Sequence, residues 1–165
     1  MGDMMENNDA YILEALKEAE KAAERGNYGI GAVVVLEDKI ISRAGNEVIS
    51  RGIVPWAHAE FLALDNLKGS EFDDMFQYKS MALYSTLAPC PMCWGRMIVS
   101  GLREVVYGAD DDPATQDYGK SIPEIFREHA PSIRRIEGDI GQRCVEIFLA
   151  TKDDVDKYFF RQNED

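Results

Sequence analysis

The chain has 165 residues, of which 45% are hydrophobic and 29% are charged, a composition typical of a soluble globular protein of about one domain. It carries 18 Lys and Arg against 30 Asp and Glu, and the formal net charge of −12 disfavours nucleic acid as a partner. Its sequence lacks the run of about 18 apolar residues needed to span a bilayer, which predicts a cytoplasmic protein with no membrane partner.

The first 67 residues predict a helix, a hairpin and a second helix. Apolar residues recur at helical spacing over 12–23, and Gly26 supplies the stop signal. The apolar run 30–36 and the β-branched segment 39–44 are separated by two turn residues, so we expect a hairpin with at least one strand buried on both faces. Helical spacing returns over 57–67, and Gly69 and Ser70 are expected to end that helix.

A strand, a helix and a strand follow within about 28 residues, at 81–85, 91–100 and 104–107. This alternation predicts a right-handed crossover between parallel strands, and therefore an α/β sheet covered by helices on both faces. The later pattern is weaker and predicts a helix at 122–128, a strand at 133–136 and a final helix at 141–160. No linker or repeat divides the sequence, so we expect a single domain over residues 1–165.

Two short segments contain residues suited to metal binding and proton transfer. The first contains His58 and Glu60, and 30 residues further on Cys90 and Cys93 form a Cys-x-x-Cys pair. Pro91 favours the first turn of a helix, so Cys90 is placed at a helix N-terminus, where the helix dipole stabilises a thiolate. One imidazole and two thiolates give three ligands of the types that favour Zn²⁺.

The number of ligands suggests a catalytic rather than a structural zinc site. Structural zinc sites use four protein ligands, whereas a site with three leaves one position for water. Glu60 lies two residues after His58, close enough to carry protons to and from that water.

Two other interpretations of the cysteine pair remain open when each motif is taken alone. A redox pair of the thioredoxin type would give no role to His58 and Glu60. A four-ligand structural site would need Cys144 or His129, which lie in a segment without ligand-like spacing. The combination of both motifs therefore favours a catalytic zinc site.

The motifs resemble those of the cytidine deaminase superfamily, in which H-x-E is followed by P-C-x-x-C. The matching segments, in the family's order, are Gly31-Ala32-Val33-Val34, Gly45-Asn46, His58-Ala59-Glu60, the eight residues 86–93, and Val105-Val106-Tyr107-Gly108-Ala109. The chain is most similar to the branch of guanine deaminases, single-domain cytosine deaminases and tRNA adenosine deaminases. The resemblance implies a three-layer α/β/α sandwich with a mixed five-stranded sheet, and a homodimer.

The resemblance also implies roles for individual residues. His58, Cys90 and Cys93 would hold Zn²⁺, Glu60 would move protons, and Asn46 would hydrogen-bond the base. The implied reaction is a hydrolytic deamination, in which a zinc-bound hydroxide attacks the ring carbon that carries the amine and ammonia is released.

Three further residues are candidates for substrate contacts. Ala59 lies between the predicted ligand and the predicted proton carrier, and Trp56, two residues before His58, would narrow the pocket or stack on the substrate. Phe159, in the C-terminal aromatic cluster, is a candidate lid. Both aromatic side chains also suit the core or a subunit interface.

The acidic segment 110–117 follows the last matching motif, near the expected pocket mouth, and would repel phosphates. We therefore expect a free nucleobase or similar small aminated heterocycle, of the guanine or cytosine class, as the substrate. A tRNA adenosine-to-inosine deaminase and a non-catalytic, zinc-stabilised binding module are the alternatives.

Overall fold

The structure of the protein is a computed structural model, and it describes residues 2–67, 81–111 and 123–159. Its elements, in chain order, are α1 (Gly2–Glu24), β1 (Gly31–Leu36), β2 (Lys39–Gly45), α2 (Ala59–Asp65), β3 (Ala82–Leu87), α3 (Pro91–Val99), β4 (Glu104–Ala109), α4 (Glu124–Arg127), β5 (Ser132–Arg135) and α5 (Gly138–Phe159). Among these described residues, no helix is long and apolar enough to cross a membrane.

The five strands form one mixed sheet in the order β2-β1-β3-β4-β5. Strand β1 is antiparallel to β2 and β3, whereas β3, β4 and β5 are parallel, as the predicted crossover through α3 requires. Helices α1 and α5 contact each other on the sheet, and α2 contacts α3. These two helix layers around the sheet confirm the predicted α/β/α sandwich.

Strand β1 shows why a central strand can be almost entirely apolar. Its residues from Gly31 to Val35 are buried, which confirms the prediction of a hairpin strand covered on both faces. At Gly31 a Cβ atom would lie only 2.1 Å from the Ala15 carbonyl oxygen, so glycine permits α1 to cross the strand closely. The edge strand β5 is exposed throughout and carries two arginines, a composition that discourages pairing with another sheet edge.

The element boundaries differ from the prediction mainly at the ends of strands and helices. Strands β3 and β4 each continue two residues further, since their parallel pairing extends to Leu87 and Ala109. The buried polar Thr86 in this extension accepts a hydrogen bond from the Gly31 N–H at Oγ1 (3.1 Å). Helix α2 spans 59–65 instead of 57–67, and its predicted stop signal lies outside the described residues. Helix α5 begins at Gly138, three residues earlier than predicted, where φ is +72°.

Candidate active site and metal centre

The two motifs meet because each begins a helix. His58 precedes α2 and Cys90 precedes α3, both in extended backbone conformation. Their carbonyl groups accept the first helical hydrogen bonds, from Leu62 at 2.9 Å and Trp94 at 2.8 Å, while neither side chain caps its own helix. The positive ends of two helices therefore lie at the site and favour negative charge there.

The imidazole of His58 lies against both thiols of the Cys-x-x-Cys pair. The Nδ1 atom is 3.4 Å from Sγ of Cys90 and 3.7 Å from Sγ of Cys93, and all three ligand atoms lie within 4.8 Å of one another. Tetrahedral zinc, with bonds of about 2.3 Å to sulfur and 2.0 Å to nitrogen, separates such atoms by about 3.6 Å. The donor set therefore fits Zn²⁺.

Within the described residues this is the only cluster of three or more His, Cys, Asp or Glu side chains suited to a metal. Neither Cys144 nor His129, the fourth ligands required by the structural-zinc alternative, belongs to it. Cys144 instead packs against β4, where its Sγ would lie 2.3 Å from a Cβ atom placed at Gly108. The described cluster thus has three protein ligands.

The two thiols differ in their tendency to ionise. Hydrogen bonds from Cys93 and His58 lower the pKa of Cys90, which favours its thiolate form. The pKa of Cys93 is raised, first because its thiol donates to Cys90 and second because it is buried. A divalent cation at this position would stabilise both sulfurs as thiolates.

Glu60 is almost fully buried in the first turn of α2, with 3% of its surface exposed. Its Oε2 lies 3.8 Å from Sγ of Cys93, so the carboxyl group is adjacent to the metal ligands without belonging to their cluster. Burial raises the pKa of Glu60 to about 7. A group with a pKa near neutrality is well suited to accept and return protons.

A cavity of about 490 Å³ opens beside these residues, a volume in the range typical of small-molecule sites. Asn46, which follows β2, lines it together with His58, Glu60 and Cys90. The Oδ1 atom of Asn46 accepts the Val48 N–H (3.1 Å), which orients the amide and leaves its NH₂ group for a ligand.

Of the other three residues predicted to contact the substrate, one lines the cavity and two do not. Phe159, the last residue of α5, lines the cavity. Trp56 is 58% exposed and is not among the lining residues, and Ala59 has a fully buried side chain that does not reach the cavity surface. Direct contacts from these two side chains therefore stay sequence predictions without support from the cavity geometry.

One side of the cavity consists of residues that were not predicted from the sequence. Tyr28, from the loop before β1, and Phe148, Lys152 and Asp156, all from α5, line it. The three α5 residues are separated by four positions and so share one helix face, a signal that was present in the sequence. Nothing in the sequence, however, indicated that this face would meet the site.

The chain matches the model of a known protein family over most of its length. Residues 5–109 match the family described as the cytidine and deoxycytidylate deaminase zinc-binding region. The chain belongs to this deaminase family. Membership indicates a hydrolytic deaminase, and the three-ligand cluster could hold the zinc ion that the family's description names.

Several curated relatives are similar over large parts of the chain. The tRNA-specific adenosine deaminase of Bacillus subtilis is 42% identical over 109 residues, which span 65% of this chain and 65% of that protein. A tRNA-specific adenosine deaminase of Streptococcus pyogenes is 32% identical over 98% of this chain and 94% of its own length. The probable cytosine deaminase of Schizosaccharomyces pombe is 30% identical over 73% of this chain and 74% of its own length.

Solved structures with the same fold include deaminases of different substrates. A structure from a study of A-to-I editing by tRNA:A34 deaminases aligns with a TM-score of 0.65 and 30% identity, over 84% of this chain and 98% of that one. The guanine deaminase of Nitrosomonas europaea aligns with a TM-score of 0.67 over 88% and 84% of the two chains. At 22% identity, the latter similarity concerns the fold alone.

Proposed function

We propose that the protein is a zinc-dependent hydrolytic deaminase that converts adenosine to inosine in tRNA. The observation that carries this proposal is the similarity to a tRNA-specific adenosine deaminase over 98% of the chain. The relatives thus favour the tRNA alternative over the free-base substrate expected from the acidic sequence, and nucleic acid can no longer be set aside as a partner.

The described residues suit the proton transfers of this reaction. When bound, zinc would lower the pKa of water to about 7 and so supply the nucleophile. Glu60 takes the proton from the water and delivers it to the ring nitrogen beside the reacting carbon, while the Asn46 amide donates to the base. A carbon–oxygen bond forms at the reacting carbon. Glu60 then carries the remaining proton from the newly bound oxygen to the exocyclic amine, the carbon–nitrogen bond breaks, and ammonia leaves as the carbonyl group forms.

The direct test is inosine formation in an anticodon stem-loop with adenosine at the wobble position. We expect turnover by the zinc-loaded chain and a loss of about 10²- to 10⁴-fold in kcat for Glu60→Gln, with zinc content unchanged. Glu146→Gln is the matched control, because Glu146 is an exposed residue of α5 away from the cavity lining. A zinc-loaded chain that leaves the stem-loop unchanged would contradict the tRNA proposal.

A free base of the cytosine class is the second candidate, and the charge distribution supports it. Many described basic side chains are bound to carboxylates, for example Arg43 to Glu14 (3.1 Å) and Arg135 to Asp110 (2.8 Å). Such pairing reduces their capacity to hold phosphates. Ammonia release from cytosine, guanine or a triazine amine, but not from the stem-loop, would favour this candidate.

Three further predictions from the sequence complete the proposal: a single deaminase domain over 1–165, a homodimer and a cytoplasmic location. Light scattering on the purified chain tests the dimer directly. If the whole panel of substrates stays unchanged although zinc is bound, the non-catalytic binding module becomes the better hypothesis.

A further inference from the structure

The part of the cavity formed by α5 contains charged groups that the proposed reaction does not use. Lys152 and Asp156, one helical turn apart, both line the cavity and form an ion pair. The hydroxyl group of Tyr28, from the loop before β1, donates a hydrogen bond to Oδ1 of Asp156 at 2.6 Å. These three side chains, which we call the α5 wall, thus form one connected polar group.

Contacts on both sides of the hydrogen bond hold the α5 wall in place. The Tyr28 ring packs against the Phe148 ring, with 6.2 Å between centroids. The next residue, Gly29, donates its N–H to Oγ1 of Thr151 at 2.7 Å. A Cβ atom at Gly29 would lie 2.5 Å from the Ile147 carbonyl oxygen, so loop and helix touch along their backbones. A substrate therefore meets a preorganised surface.

The charges at the α5 wall favour a neutral substrate group. Lys152 is the only Lys or Arg among the described residues that line the cavity, whereas Asp111 and Asp156 both contribute carboxylates. The hydrogen bond to Asp156 raises the pKa of Lys152, and burial together with Asp156 raises the pKa of Tyr28. Within the α5 wall the charges of Lys152 and Asp156 cancel, and Asp111, which also lines the cavity, brings the sum of these three groups to −1 at neutral pH. This net charge repels an anion, while the ammonium group keeps further N–H donors for an uncharged acceptor.

We propose that Tyr28, Lys152 and Asp156 form a specificity-determining wall that accepts an uncharged polar group of the substrate, such as a ribose hydroxyl or a base carbonyl, and excludes phosphate from the cavity. This inference rests on the proposed deaminase function. In a tRNA substrate, the target nucleoside enters the cavity and its flanking phosphates stay outside.

The test compares two ligands that differ only by a phosphate, adenosine and adenosine 5′-monophosphate, by calorimetric titration of the full zinc-loaded chain. All titrations use the Glu60→Gln background, so that the ligand is not consumed. We expect adenosine to bind about 10-fold more tightly or better, and Asp156→Asn to reduce that preference by about 10-fold, because one negative charge is lost and Lys152 is released from its partner.

Asp154→Asn is the matched control, since it removes the same charge from the same helix at an exposed ion pair with Lys157 outside the cavity lining. It should leave the preference within about twofold. Tyr28→Phe retains the ring but removes the donor to Asp156, which leaves the carboxylate charge less neutralised, so the preference for adenosine should increase. This variant serves if Asp156→Asn does not fold, and an unchanged preference would then contradict the proposal.

Three outcomes would overturn the α5 wall as a specificity determinant. These are equal or tighter binding of the monophosphate by the parent chain, an equal effect of Asp154→Asn and Asp156→Asn, and no binding of either ligand at millimolar concentration. The titrations do not depend on turnover. Failure of stem-loop deamination by the unaltered chain would therefore overturn the proposed function separately.

Discussion

Cys93 illustrates how a single side chain connects helix geometry with metal binding. It lies in the first turn of α3, is 1% exposed, and faces both His58 and Glu60. We expect Cys93→Ser to lose zinc, because a hydroxyl group does not ionise as readily as a thiol. Removal of a group that only hydrogen-bonds to a metal ligand lowers metal affinity by roughly 10- to 100-fold, and we expect the loss of zinc affinity in Cys93→Ser to be at least as large. Metal analysis after dialysis against a chelator measures it.

Cys144→Ser provides the control for this experiment. Cys144 is also buried, but it lies against Gly108 and outside the ligand cluster. Its variant should therefore retain the zinc content of the parent chain. Equal retention of zinc by Cys93→Ser and Cys144→Ser would contradict the assigned ligand set.

The ligand residues could be predicted from sequence, and the α5 wall could not. His58, Cys90 and Cys93 occupy fixed positions relative to two helix starts, so local spacing and the Pro91 signal already placed them. Tyr28 and Asp156 are 128 positions apart, and their contact depends on how α5 crosses the sheet. No local periodicity contains that information.

At the scale of elements, the packing of α5 on β4 determines where its cavity-lining face lies. The closest approach is at Gly108, where a Cβ atom would lie 2.3 Å from Sγ and 2.7 Å from Cβ of Cys144. Gly108→Ala should destabilise the fold by about 1–3 kcal/mol, because overpacking forces the helix away from the strand. Urea denaturation measures the change in the free energy of unfolding.

A double variant tests whether the loss of stability in Gly108→Ala arises from contact with the Cys144 side chain. In the double variant with Cys144→Ala the sulfur is absent, while the approaches to Cβ (2.7 Å) and to the Thr86 carbonyl oxygen (3.2 Å) remain, so part of the stability should return. Additive losses in the double variant would show that the strain lies elsewhere. Gly95, where an added Cβ atom would meet nothing within 4 Å, is the tolerant comparison site within α3.

The same contact shows which features of the elements follow from sequence. The existence of α5 and β4 was evident from apolar periodicity, since each element must bury one face or both. The start of α5 at Gly138 and the extension of β4 to Ala109 depend on backbone contacts between distant segments. The ends of these two elements were therefore displaced by two or three residues, whereas α1 begins at Gly2, ten residues before the predicted spacing starts; the order of elements was correct.

At the scale of the whole molecule, the negative charge is accompanied by extensive ion pairing. Among the described residues, the basic side chains that form an ion pair with a carboxylate include Arg25, Arg43, Arg51, Arg96, Arg134, Arg135, Arg143 and Lys152. Each such pair must be weakened before its cation can neutralise a phosphate. Within residues 2–67, 81–111 and 123–159, this pairing disfavours extended contacts with an RNA backbone.

This charge distribution predicts the salt dependence of stem-loop deamination. Each phosphate contact contributes a slope of about −0.7 to −0.9 to the logarithm of affinity against the logarithm of salt concentration, and we expect a total no steeper than about −2 for kcat/KM. The measurement varies potassium chloride at constant zinc, with calorimetric binding of adenosine to the Glu60→Gln variant as the uncharged control. A slope steeper than about −4 would contradict the expectation, because several cations would then have to exchange their carboxylate partners for phosphates. A cation that is already paired with a carboxylate binds a phosphate less favourably than a free cation does. A shallow salt slope together with turnover would therefore indicate that the stem-loop is recognised through the nucleoside in the cavity.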